Sequence, residues 1–128
     1  MMAKFVAAIV VLATVTPAAA QSMTPMRGEI RSFSDSFAVR VRPHNPYRHR
    51  IEVAVRVYDE DFRPIAAKVV PSKMMLGSDV SRPVLVSVDF GESRTRRVRI
   101  CTESIPFPDQ KTRIRAQICG RFIAYRAN

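Results

Sequence analysis

The sequence predicts an all-β fold, a single antiparallel sandwich, on three observations. Apolar and polar residues alternate at period two along most of residues 21–128. The apolar positions are rich in valine and isoleucine. Clusters of proline, glycine, asparagine and aspartate interrupt the alternation at short intervals. Period two sends successive side chains to opposite faces of a strand, and β-branched residues fit that pleated, half-buried surface.

The alternation starts weakly over residues 26–32. It is strong at Phe37, Val39 and Val41, set against Ala38, Arg40 and Arg42. Ile51, Val53, Val55 and Val57 repeat it, followed by a weaker run over residues 65–70. Val84, Val86 and Val88 come next, then Val98 and Ile100 between Arg97, Arg99 and Cys101. The last run is the longest, with Ile114, Ala116, Ile118, Gly120, Phe122 and Ala124 sharing one parity. Breakers lie between the runs: Pro43-His44-Asn45-Pro46, Asp59-Glu60-Asp61 with Arg63-Pro64, Gly77-Ser78-Asp79, Gly91-Glu92-Ser93 and Ile105-Pro106-Phe107-Pro108-Asp109. About seven closely spaced strands suit a sandwich of immunoglobulin type, with an open barrel as the alternative.

Residues 1–20 read as a cleaved export signal. Lys4 supplies a positive start and residues 5–15 (FVAAIVVLATV) an apolar stretch. Pro17 then precedes Ala18-Ala19-Ala20, a small-residue cleavage site. The apolar run falls short of the roughly 20 residues that cross a bilayer. Residues 21–128 have the length of one domain, and no second run of spanning length follows. The expected compartment is the periplasm, with the extracellular space or cell surface as alternatives.

Without Lys4 the charge is 20 basic against 11 acidic residues, a net of +9, and arginine dominates. Such a balance favours anionic partners. Export argues against nucleic acid, leaving an anionic membrane surface, acidic protein groups or an anionic polymer.

Cys101 and Cys119 are the only cysteines, and export favours their oxidation. Both have the parity opposite the apolar set, which places them on one outward face of a hairpin around residues 108–111. Directly opposed residues keep a constant index sum, and 101 + 119 = 220 centres the turn on residue 110. Opposed Cα atoms approach to about 4.5–5.5 Å, within disulfide range. The same register opposes Arg99 to Arg121. Like charges across a strand pair repel, so the two either fan into water or share an anion, guanidinium groups being bidentate carboxylate ligands.

No enzyme motif is present: no nucleophile elbow, zinc-protease motif or phosphate loop. His44 and His49 read as solvated loop residues, and with Met23, Met26, Met74 and Met75 they make no dense copper motif. The acidic turn 59–61 lacks the alternating ligands of a calcium loop. No cofactor or metal is expected.

The order of segments resembles the N-terminal domain of periplasmic chaperones of the chaperone–usher pathway of pilus assembly. The segments are FAVRVRPHNP (37–46), residues 53–61, PIAAKVVPSKMML (64–76), Glu92-Ser93 with RVRICTESIP (97–106), and RIRAQICGRFIAYR (113–126). The resemblance implies a non-enzymatic protein that binds an exported, pilin-like subunit by strand addition. It implies Ile114, Ala116 and Ile118 as donor residues and Arg121 as the last-strand cation for the subunit's terminal carboxylate. The first-strand cation is Arg27 or Arg31. One subfamily also joins its sixth and seventh strands by a disulfide. Family members have two domains, and this sequence corresponds to the first. Alternatives are a structural or cell-surface domain of an envelope assembly, a binder of anionic polymer, and an edge-strand homodimer.

Overall fold

A computed structural model describes residues 22–109, 111 and 114–127. The export signal expected over residues 1–20 lies outside the described residues, as do Gln110, Thr112 and Arg113. Nine strands form in chain order: β1 (Ser22–Thr24), β2 (Arg27–Ser32), β3 (Ser36–His44), β4 (Ile51–Tyr58), β5 (Lys68–Val70), β6 (Lys73–Leu76), β7 (Val84–Asp89), β8 (Thr95–Ser104) and β9 (Ala116–Arg126). They build a sandwich of a four-stranded sheet, β1-β3-β7-β5, and a five-stranded sheet, β2-β9-β8-β4-β6. All strand pairs are antiparallel except β2 with β9.

The two strands beyond the expected seven have one cause. Pro25 separates β1 from β2, and Pro71 separates β5 from β6; at each proline the chain leaves one sheet and joins the other. A residue without an N–H cannot continue a ladder, so the switch falls there. The run expected over residues 65–70 shortens to β5 for want of a continuing ladder, Pro64 making only an isolated bridge to Tyr58.

The parity read from the sequence holds. Phe37, Val39 and Val41, then Val55 and Val57, then Val84, Val86 and Val88 pack with Phe90, Val98, Ile100, Phe122 and Ala124 between the sheets. Ile51, Val53 and Leu76 form a smaller cluster at one end. Leu76, rather than Met74 or Met75, is the fully buried residue of that stretch, and Met75 is exposed. Asn45 is buried yet satisfied: its amide nitrogen reaches the carbonyls of His49, Leu76 and Gly77 at 2.8–3.0 Å, and its oxygen accepts the Tyr47 N–H. A buried amide so bonded fixes three chain segments at once.

The β8–β9 register follows the index sum of 220 throughout, with Cys101 opposite Cys119 and Arg99 opposite Arg121. The cysteines are disulfide-bonded with Cα atoms 4.0 Å apart. Cys101 faces outward as its parity requires, but it is fully buried, not exposed. Strand β8 lies between β4 and β9, and Arg56 is its cross-strand neighbour on the β4 side. A disulfide closing a loop of this length contributes about 3 kcal/mol.

Gly120 lets the first strands approach the last. A Cβ there would lie 2.8 Å from the Phe122 ring and 2.9 Å from the Met26 carbonyl oxygen. That same oxygen accepts the Arg121 N–H at 2.9 Å, so the missing side chain allows β2 to dock against β9. Gly120→Ala is expected to cost about 1–3 kcal/mol through this overpacking. Gly77→Ala, whose Cβ would meet Val80 at an ordinary 3.6 Å, should cost less than about 0.5 kcal/mol. Urea unfolding of the two variants measures the difference.

Candidate functional site

Strand β9 is sheltered along its whole length on one side only. Its pairing with β8 runs from Ala116 to Tyr125, whereas β2 covers only Arg121 to Arg126. The N–H groups of Arg121 and Ala127 donate to Met26 and Ser32, and that of Arg126 donates to Arg94 on the β8 side. Strand alternation therefore turns the N–H and C=O of Cys119 and Gln117 to the side that β2 leaves uncovered. An uncovered strand edge is a template for a further strand.

The donor residues expected from the sequence lie on this stretch. Ala116 and Ile118 are half-buried at the start of β9, and Ile114, just ahead of it, is 56% exposed. They share the parity of the core residues Phe122 and Ala124, so the apolar run continues past the end of the core.

The uncovered edge ends at a row of arginines. The parallel register sets Arg27 beside Arg121, and the antiparallel register sets Arg121 beside Arg99. Arg27, Arg97, Arg99 and Arg121 line an open concavity of about 610 Å³ on the outer face of the five-stranded sheet, with Glu29, Glu60 and Ile123. Arg31 is two residues further on; it aligns with Tyr125 and its guanidinium lies 6.0 Å from that ring's centre. The strand register thus brings Arg27, not Arg31, to Arg121.

Two of the four arginines are held by the acidic turn between β4 and β5, which is more than a solvated loop. The Asp59 carboxylate accepts the N–H groups of Asp61 and Arg63 at 2.8 and 2.9 Å. This fold of the turn carries Phe62 at φ 60°. Glu60 lies 3.7 Å from Arg97, its carbonyl accepts Arg99 Nε at 3.2 Å, and the Phe62 ring sits 4.3 Å from the Arg99 guanidinium. Among the described residues, neither Arg27 nor Arg121 forms an ion pair. Sequence reasoning could not reach this clasp, because Glu60 and Arg99 are far apart in the chain.

Two other constellations emerge only in three dimensions. The Glu103 carboxylate, 12% exposed, accepts Tyr58 Oη at 2.6 Å and Gln117 Nε2 at 2.8 Å, and pairs with Arg56 at 3.1 Å. It braces Gln117, a residue of the uncovered edge. His44 is not a solvated histidine: its ring nitrogens meet Ser81 Oγ at 2.8 Å and Asp79 at 3.1 Å. This serine–histidine–aspartate set, whose aspartate is 85% exposed, clamps the end of β3 to the β6–β7 connection beside the His44–Ser81 bridge. His49 is an exposed loop residue, as expected, and contacts the Pro106 carbonyl and the Tyr47 and Phe107 rings.

The fold is similar to that of pilus-assembly chaperones. The Salmonella enterica SafA pilin in complex with the SafB chaperone matches with a TM-score of 0.69 at 17% identity, covering 88% of this chain and 57% of the other. The Escherichia coli chaperone DraB matches at 0.67 and 19% identity, covering 84% and 55%. The periplasmic chaperone SfaE matches at 0.64 and 11%, covering 85% and 59%. The chain therefore spans little more than half the length of these chaperones. No protein-family model and no curated protein sequence matches it. Among the described residues no helix is long and apolar enough to cross a membrane.

The Glu103 network has a titration signature. The hydrogen bond to Glu103, then burial, then the Glu103 charge raise the Tyr58 pKa above its ordinary value. An acid whose folded pKa is raised contributes stability fully below its unfolded pKa, about 10 for tyrosine. That contribution is lost as pH rises through the higher folded value. Stability should therefore fall with rising pH above about 10 less steeply in Tyr58→Phe than in the parent. Thermal melts across that range measure the difference.

Proposed function

We propose that this chain is a non-enzymatic periplasmic binding protein, delivered by a cleaved signal over residues 1–20, that takes up an exported, pilin-like subunit by strand addition. One observation carries the reading: the uncovered edge of β9 at Gln117 and Cys119 runs into the unpaired Arg27–Arg121 couple. The chaperone fold of residues 22–127 supports it.

This reading also implies a direction. A strand added along Gln117 and Cys119 is collinear with β2 and must stop where β2 begins, at Met26 and Arg27. The end that arrives there meets two guanidinium groups. A C-terminal carboxylate is favoured at that point, and an N-terminal ammonium is not. The added strand therefore runs parallel to β9, its apolar side chains alternating with Ile114, Ala116 and Ile118. Backbone hydrogen bonds supply affinity and the arginine couple supplies register and polarity.

Binding of an anionic polymer is the second reading, favoured by the concentration of arginine on one sheet face. The two differ in their dependence on a chain terminus. A synthetic decapeptide of alternating valine and threonine with a free C-terminus should bind, and its C-terminal amide should bind about tenfold more weakly or worse, since charge-assisted hydrogen bonds contribute roughly 1.5–3 kcal/mol. Arg27→Ala and Arg121→Ala should each reproduce that loss, and Arg99→Ala, already held by Glu60 and Phe62, should lose less. Titration calorimetry measures all five. Equal affinity for acid and amide would exclude the carboxylate anchor.

A further inference from the structure

A second basic concavity, of about 450 Å³, opens on the same outer face towards the start of β9. It is lined by Arg50, Arg56, Lys73 and Arg115, with Glu52 and Glu103. Two of its cations are neutralised, Arg56 by Glu103 at 3.1 Å and Lys73 by Glu52 at 3.6 Å. Arg50 and Arg115 have no carboxylate partner among the described residues, and both are exposed. The concavity thus keeps an uncompensated charge of two, like the couple at the other end of the strand.

Arg115 lies in line with the uncovered edge. It precedes β9 by one residue and shares the outward parity of Gln117, Cys119 and Arg121. Six residues separate it from Arg121, about 20 Å of extended chain. A strand whose C-terminus lies at Arg121 therefore passes Arg115 some four to six residues before its end. Its side chain at that point, if it shares the outward parity, stands abreast of the Arg115 guanidinium and opens onto the concavity.

We infer that the Arg50–Arg115 concavity recognises an acidic side chain, aspartate or glutamate, four to six residues before the C-terminus of the added strand. The partner is then a polypeptide whose last strand carries two negative groups at fixed spacing, the terminal carboxylate and one acidic residue. This rests on the strand-addition reading and adds the partner's chemistry to it. Two charges about 20 Å apart define a register that a single terminal charge leaves able to slip. Exposed pairs of this kind are individually weak, so the site selects among partners more than it holds them.

The test uses the valine–threonine decapeptide with a free C-terminus, its fifth residue from the end being threonine, glutamate or lysine. The protein is the full chain after export. Glutamate should bind about three- to fivefold more tightly than threonine, and lysine more weakly than either. Arg115→Glu should reverse the order, while Arg121→Ala should weaken all three alike and keep it. Equal binding of the three peptides, with the preference for a free over an amidated terminus intact, would overturn this inference and leave strand addition standing. The companion decapeptide of opposite phase, in which threonine stands fourth and sixth from the end, takes the same substitutions there and covers the stated window with outward parity kept. Failure of all the peptides to bind, or indifference to amidation, would overturn strand addition and this inference with it.

Discussion

The pairing of β8 with β9 is the constraint on which the rest of this molecule depends. Ten residue pairs share one index sum, and the Cys101–Cys119 bond holds that sum at 220. A slip of one residue would invert the faces of a strand, sending Phe122 and Ala124 to solvent and Arg121 into the core. The same register puts Gly120 opposite Ile100, where the missing side chain admits the Met26 carbonyl. Docking of Met26 in turn starts β2 at Arg27 and lays it beside Arg121. The arginine couple and the place where shelter of β9 ends are thus consequences of one pairing.

The arginine face is costly to the free protein. Three arginines stand side by side across three strands, and like charges in that position destabilise a sheet. The fold offsets part of this with the turn that follows β4: Glu60 and Phe62 reach Arg97 and Arg99. The offset stops short of Arg27 and Arg121. A similar division holds at the other end of the face, where Glu103 and Glu52 neutralise Arg56 and Lys73 and leave Arg50 and Arg115. At both ends the uncompensated charge lies next to the uncovered edge of β9.

Much of the fold was legible because its signals are local. Parity assigned the inward residues of the strong strands, and the two cysteines fixed the last hairpin's register, Arg99 against Arg121 included. Strand switching at Pro25 and Pro71 was harder to read, since a proline marks an interruption without saying which sheet the chain joins next. The choice between Arg27 and Arg31 needed the β2–β9 register, which no local pattern encodes. Burial of Cys101 was missed because parity gives the direction of a side chain and not what covers it. The Glu60–Arg99 clasp, the Glu103 network and the His44 clamp join residues far apart in sequence, so alternation and spacing carry no trace of them.

Strand β9 has two halves, one sealed by β2 and one open along its edge. Amide hydrogen exchange followed by nuclear magnetic resonance tests it residue by residue, because exchange reports whether each N–H is held in a ladder. Exchange should be slow at Arg121 and Ile123, whose N–H groups face β2, and fast at Cys119 and Gln117, whose N–H groups face the uncovered edge. Protection of Cys119 and Gln117 equal to that of Arg121 in the free, monomeric protein would contradict it, since the edge would then be closed already.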